Sequence, residues 1–167
     1  MELLAPAGNK ESLIAAINNG ADAIYLSGKK FGARAYALNF SDEELKEAIR
    51  IGKIYGVKIY VTMNTLVKEN EVEEFLDPVE FLYANGVDAI LMQDFGMICL
   101  CLKKFPNLEI HASTQAHNVS KEGIDFLYKL GVKRVVLPRE MSLEEIKQIE
   151  TPIEKEVFVH GALCVSY

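Results

Sequence analysis

The sequence predicts an α/β fold of the TIM-type (β/α) barrel class, incomplete, with about seven parallel strands and six helices. Three observations lead there. A Gly-led phrase recurs four times: Gly20-Ala21-Asp22, Gly56-Val57-Lys58, Gly86-Val87-Asp88 and Gly131-Val132-Lys133. Each is joined to a short apolar run: Ala23 to Leu26, Val57 to Val61, Ala89 to Met92 and Val135 to Leu137. Amphipathic helical patterns fill the intervals. Each glycine is placed to end a helix in the left-handed conformation. Each apolar run reads as a strand buried on both faces, the habit of parallel sheets.

Three further strands fit the remaining gaps: Glu2 to Leu4, Glu109 to Ala112 and Glu156 to Val159. Ser41-Asp42-Glu43-Glu44 and Ser142-Leu143-Glu144-Glu145 are capping boxes, predicting helices to about Tyr55 and Ile149. Lys10–Asn19, Glu71–Ala84, Phe95–Lys104 and Ser120–Leu130 carry helical spacing too. Pro78 is expected to kink or divide the third helix, or to mark its first turn. Such β-α alternation means a parallel α/β fold. Near-equal repeats without a Gly-rich dinucleotide loop favour a barrel over a doubly wound sheet. Eight strands typically need about 250 residues, so a chain of 167 reads as one barrel segment, residues 1–167, that stops early.

Composition bounds the function. Half the residues are hydrophobic and a quarter charged, which supplies a globular core and excludes disorder. No apolar run is long enough for a membrane span. The N-terminus carries an acid and no basic leader, so the expected location is cytoplasmic. Three cysteines are too few for a disulfide framework. A net charge of −6 gives no global attraction to nucleic acid, so RNA binding would need a local basic patch or a further domain.

Barrel active sites gather where strands end. Past the second strand come Ser27, Gly28, Arg34 and Asn39; past the third, Thr62 and Asn64; past the fourth, Gln93 and Asp94. The fifth is followed by His111, Ser113, Thr114, Gln115, His117 and Asn118, the sixth by Arg139 and Glu140, the seventh by His160, Gly161 and Cys164. Any one of these could be an ordinary polar loop residue or a helix cap. Together they predict that Arg34, Asn39, Asn64, Gln93, His111, Gln115, Arg139 and His160 face one cavity. Amide and guanidinium groups suit an anionic or multiply hydrogen-bonding ligand. Zinc-protease and serine-hydrolase motifs are missing. No lysine stands in the distal half of a strand, which argues against a Schiff base. His111 and His117 form only a weak metal pair. Cys99 and Cys101 read as small hydrophobes on a helix. Cys164 stands at the functional end; as a nucleophile it would need His160 or His111 as its base.

The opening Glu2-Leu3-Leu4-Ala5-Pro6-Ala7-Gly8-Asn9, the middle His111-Ala112-Ser113-Thr114-Gln115 and Val136-Leu137-Pro138-Arg139-Glu140, and the closing Glu156 to Tyr167 carry a resemblance. Along its whole length the chain resembles the collagenase-like peptidases of family U thirty-two. The resemblance implies a TIM-type barrel with added domains. It implies a parent that either cuts protein, collagenase-like, or hydroxylates RNA (tRNA uridine or rRNA cytidine) with prephenate; related proteins serve ubiquinone hydroxylation. The hydroxylating branches hold an iron–sulfur cluster on cysteines, and Cys164 matches the first of them. The family pattern continues with Ser-Gly-x-Cys, whereas this sequence ends at Tyr167. The expectation is therefore an N-terminal segment of an RNA-hydroxylating parent. Taken alone it would bind no iron, lack activity, and self-associate through the open edges of an unclosed barrel.

Overall fold

The computed structural model describes residues 1–33 and 39–161. Seven parallel strands follow one another in chain order across a single curled sheet. They are β1 (Leu4–Pro6), β2 (Ala23–Ser27), β3 (Lys58–Met63), β4 (Ala89–Met92), β5 (Ile110–Ala112), β6 (Arg134–Val136) and β7 (Glu154–Glu156). Six helices alternate with them: α1 (Lys10–Asn18), α2 (Asp42–Tyr55), α3 (Val72–Asn85), α4 (Phe95–Lys104), α5 (Lys121–Leu130) and α6 (Leu143–Gln148). The barrel class expected from the Gly-led repeats is the one observed.

The local signals act as their chemistry requires. Gly20, Gly56, Gly86 and Gly131 all take positive φ, between 69° and 103°, where a side chain would be strained. Both capping boxes close in each direction. In the first, Ser41 N–H donates to Glu44 Oε2 at 2.7 Å and Glu44 N–H to Ser41 Oγ at 3.3 Å. Ser142 and Glu145 repeat the exchange at 2.7 and 3.3 Å. Pro78 neither divides nor begins its helix: α3 runs from Val72 to Asn85 across it. The missing N–H removes only the bond to the Glu74 carbonyl.

Alternation along each strand divides the core in two. One face sends Ile24, Ile59, Val61, Ile90, Ile110 and Val135 against Leu13, Ile49, Phe75, Leu82, Ile98 and Leu127 of the helices. The other face, inside the curl, packs Ala23, Tyr60, Ala89, Leu91 and Val136.

Both terminal strands are displaced from their expected places. β1 lies at Leu4–Pro6 rather than Glu2–Leu4, because its ladder to β2 pairs Leu4 with Ala23 and continues to Ala7 N–H on the Tyr25 carbonyl. β7 is Glu154–Glu156, not Glu156–Val159. The apolar run Val157 to Val159 is exposed beyond the ladder, while Glu154 and Glu156 stand in register with Arg134 and Val136. Tertiary pairing overrides strand propensity here.

Candidate functional site

Where the strands end, the loop after β3 is stitched to the loop after β5. Asn64 Nδ2 donates to Ser113 Oγ at 3.2 Å, and Asn64 Oδ1 accepts from Ala33 N–H at 3.1 Å. Gln93, just past β4, sends Nε2 to the Asn64 carbonyl at 2.8 Å. Ser113 is buried and its hydroxyl oxygen also receives the Gln115 N–H at 3.4 Å. Three of the expected residues are thus linked: Gln93 to the Asn64 carbonyl, and Asn64 and the Gln115 backbone N–H to the Ser113 hydroxyl. Gln115 Oε1 is buried without a hydrogen-bond partner, an unsatisfied acceptor of the kind that concentrates at functional sites. Two residues on, His117 holds φ at +46°, a conformation that costs a non-glycine residue energy. Asp94 caps α4 through Met97 N–H at 3.1 Å and holds Val67 N–H at 3.2 Å.

A second group forms past β6 and β7. The Arg139 guanidinium lies over the Phe158 ring, 3.8 Å from its centroid, a cation–π contact. His160 is exposed, and Asn39 is half-buried beside Phe40, whose backbone bridges to Gly28. Arg34 and Cys164 lie outside the described residues. Cys101 is fully buried in α4, and burial pushes its thiol up to about 12, so it is packing rather than chemistry.

His111 departs from expectation. It is the central residue of β5, not a residue beyond it, and its side chain is wholly buried. Nε2 meets Glu109 Oε1 at 2.9 Å, so the imidazole is tied to a residue that precedes the strand. Burial lowers its pKa and outweighs the Glu109 hydrogen bond. His111 therefore belongs to a polar layer inside the curl near the strand starts, the stability end of a barrel.

That layer was not foreseen. Arg134 opens β6 and is buried; its Nη1 donates to Glu2 Oε1 at 2.6 Å, and its Nε and Nη2 to Glu154 Oε2 at 2.9 and 2.6 Å. Tyr60 Oη donates to Glu2 at 3.0 Å, and Lys58 Nζ reaches it at 3.2 Å. Burial pushes the Glu2 carboxyl up, but these hydrogen bonds, chiefly from Arg134, hold it down at about 2. Burial raises Tyr60 well above the phenol range. The signal was available: Glu109-x-His111 and Glu154-x-Glu156 place ionisable groups at every second residue, which puts both members on one face of a strand.

The profile of peptidase family U32 matches residues 8–167. The tRNA hydroxylation protein P1 of Bacillus subtilis (strain 168) is 39% identical over 168 residues, 99% of this chain and 40% of that protein. A 23S rRNA 5-hydroxycytidine synthase of Escherichia coli (strain K12) is 41% identical over 169 residues, covering 100% of this chain and 25% of that one. A collagenase of Porphyromonas gingivalis (strain ATCC BAA-308 / W83) is 32% identical over 180 residues, 99% of this chain and 42% of its own. The chain spans between a quarter and about two fifths of these relatives. Among solved structures, the U32 peptidase Mk0906 superposes with a TM-score of 0.73 at 13% identity, covering 94% of this chain and 67% of that one. Phosphonopyruvate hydrolase gives 0.65 at 14%, covering 94% and 66%; at such identities the likeness is of fold alone. The family profile takes in nearly the whole chain, strand-end loops included, and the chain belongs to peptidase family U32.

Proposed function

We propose that these residues are the N-terminal barrel segment of a protein that hydroxylates RNA, at a tRNA uridine or an rRNA cytidine, with prephenate as co-substrate. The observation that carries this is the identity of 35–41%, over 99–100% of this chain, to six relatives named for tRNA or rRNA hydroxylation; the relatives named for proteolysis stand at 38% and 32%. The chemistry of the strand-end cluster supports it. Asn64, Gln93, Ser113 and Gln115 are neutral donors and acceptors, suited to holding a polar ligand in register. Among the described residues, the Ser113 hydroxyl has amide partners and no imidazole, so it lacks the base that activates a nucleophile. To Arg139, whose guanidinium stacks on Phe158, we assign a carboxylate of the kind prephenate carries. An RNA substrate implies a cytoplasmic location; among the described residues no helix is long and apolar enough to cross a membrane.

An iron–sulfur cluster does not fit the described residues. No group of three or more His, Cys, Asp or Glu side chains among them could hold a metal, and Cys99 and Cys101 lie in a packed helix. On this reading the cluster belongs to the full-length parent, with Cys164 as one ligand, and the 167 residues alone carry none.

The test is nucleoside mass spectrometry of tRNA and rRNA from the source organism lacking the full gene. Loss of one hydroxylated pyrimidine, restored by the gene, supports the proposal. Unchanged nucleosides together with lost gelatin cleavage would favour the peptidase reading, with a protein as substrate.

A further inference from the structure

In the described sheet, β1 and β7 are the two ends, and no ladder joins them. Leu3 C=O and Ala7 N–H turn toward β2, and Glu154 N–H and Glu156 C=O toward β6. By alternation the peptide groups of Leu4 and Lys155 face the open edges. Among the described residues a side chain from β6, Arg134, hydrogen-bonds to both ends. We propose that Arg134, Glu2, Glu154 and Glu156 form a proton-operated clasp that ties β7 to β1 where no strand ladder does so.

One guanidinium serves three carboxylates. Glu154 takes Nε and Nη2, and Glu2 takes Nη1 at 2.6 Å. Glu156 Oε2 lies 3.6 Å from the same Nη1 and is buried without a hydrogen bond. Glu2 and Glu156 therefore crowd one nitrogen. While Glu156 keeps its proton, Glu2 is the one anion at Nη1 and β1 is held. Once Glu156 ionises, a buried anion whose Oε2 lacks a hydrogen bond stands beside a second carboxylate; its attraction for Arg134 and its repulsion of Glu2 loosen the tie to β1.

The other charged groups of the layer act on the remaining members. Lys58 and Tyr60, from β3, hold Glu2, and Glu109 engages His111 on β5. Burial, opposed by Arg134 and reinforced by Glu2, pushes the Glu156 carboxyl up to about 6, which sets the working range just below neutrality. The sign follows. A carboxyl raised on folding favours the folded state while protonated, and that advantage is lost as pH rises from the ordinary carboxylate range through 6.

The experiment compares the 167-residue chain with Glu156→Gln and Glu154→Gln by thermal melting from pH 5 to 7.5. Glu156→Gln should melt higher than the parent chain at pH 7.5, with the gap shrinking toward pH 5; the folding equilibrium gains on the order of tenfold at the upper end. Glu154→Gln should melt lower throughout. Amide exchange at Ala7, corrected for intrinsic rate, should quicken with pH in the parent chain but not in Glu156→Gln, while β3 and β4 stay protected. A gap that is negative or does not change with pH overturns the clasp. Should Glu156→Gln fail to fold, Glu2→Gln decides: fast, pH-independent exchange at Ala7 supports the clasp, and retention of the parent pH dependence overturns it.

Discussion

The imidazole of His111 meets the ring of Tyr60 edge-on inside the curl of the sheet, with centroids 4.8 Å apart and planes inclined by 74°. The contact packs β5 against β3 over the intervening β4, and it makes His111 a member of the polar layer rather than a group free to meet substrate.

His111→Gln should therefore act on stability, and its pH dependence should show it. Burial lowers the His111 pKa, so the folded state resists charging it. Its contribution is full above the unfolded value of about 6.5 and falls away as pH drops below that value toward the folded one. In urea denaturation, acidification from pH 7.5 to 5.5 should favour folding less in the parent chain than in the variant, Glu156 contributing alike to both. An equal change in both would remove His111 from the account.

The same residue marks the limit of what sequence alone reveals. Strand number, helix order and the four left-handed glycines are written in local chemistry and were legible, because a Gly after an amphipathic run and a Ser-x-x-Glu box act within one turn. Asn64, Gln93 and Gln115 were legible as strand-end amides. Ser113, which joins Asn64 to Gln115, stood in that sequence only as one polar residue among several, because a hydroxyl shows its partners only once β3 and β5 are brought near each other. Arg134 was hidden for a related reason: its partner Glu2 is 132 residues away. His111 lies inside the expected strand Glu109–Ala112 as well as the observed Ile110–Ala112; grouping it with the loop beyond overlooked that alternation turns it into the curl. The apolar run Val157–Val159 drew the seventh strand off the charged Glu154–Glu156 segment, whose ladder to β6 pairs it with Arg134–Val136.

Close approach of α2 to β3 makes a sharper test of the fold. A Cβ on Gly52 would stand 2.6 Å from Ile59 Cγ1 and 2.6 Å from the Val57 carbonyl, and a backbone carbonyl cannot swing aside. Gly52→Ala should cost about 1–3 kcal/mol in urea denaturation. Gly8→Ala, with nothing within 4 Å of its added Cβ, should stay within about 0.5 kcal/mol of the parent chain. Equal costs would mean that α2 does not press on β3 as described.

Gln115 separates function from stability. Its Oε1 lacks a partner, so Gln115→Leu removes an unsatisfied acceptor and should leave stability unchanged or raise it by about 1 kcal/mol. In the full-length protein the same change should reduce hydroxylated-nucleoside formation at least tenfold. Asn64→Ala, which abandons Ala33 N–H and Ser113 Oγ, should lower both stability and activity. Full activity in Gln115→Leu would detach this cluster from the reaction.

Arg139 is the test of the carboxylate reading. Calorimetric titration of prephenate into the full-length protein should give binding at least tenfold weaker in Arg139→Ala, the loss of one charge-assisted pair. Phe158→Leu, which removes only the ring beneath the guanidinium, should weaken it less. Equal affinity in all three proteins would take Arg139 out of the site.

The open sheet makes a prediction about the chain's own company. Leu4 and Lys155 turn peptide groups to edges that no neighbouring strand covers in the described sheet, and unpaired edges recruit further strands. Apolar side chains lie alongside: Leu3 near β1, and Val157 and Val159 past β7, are exposed by 54%, 45% and 88%. Pro6 blunts one edge, since it offers no N–H, which leaves β7 as the stickier of the two. The 167-residue chain should therefore scatter light as a dimer or larger species at micromolar concentration. A Val157→Lys and Val159→Lys pair should shift it toward monomer without lowering its melting temperature. The same purified sample, assayed for metal, should contain no stoichiometric iron or sulfide. A monomer at every concentration, unchanged by the lysines, would show that the clasp and the termini already shield the edges; stoichiometric iron would show that Cys164 finds its partners within these residues.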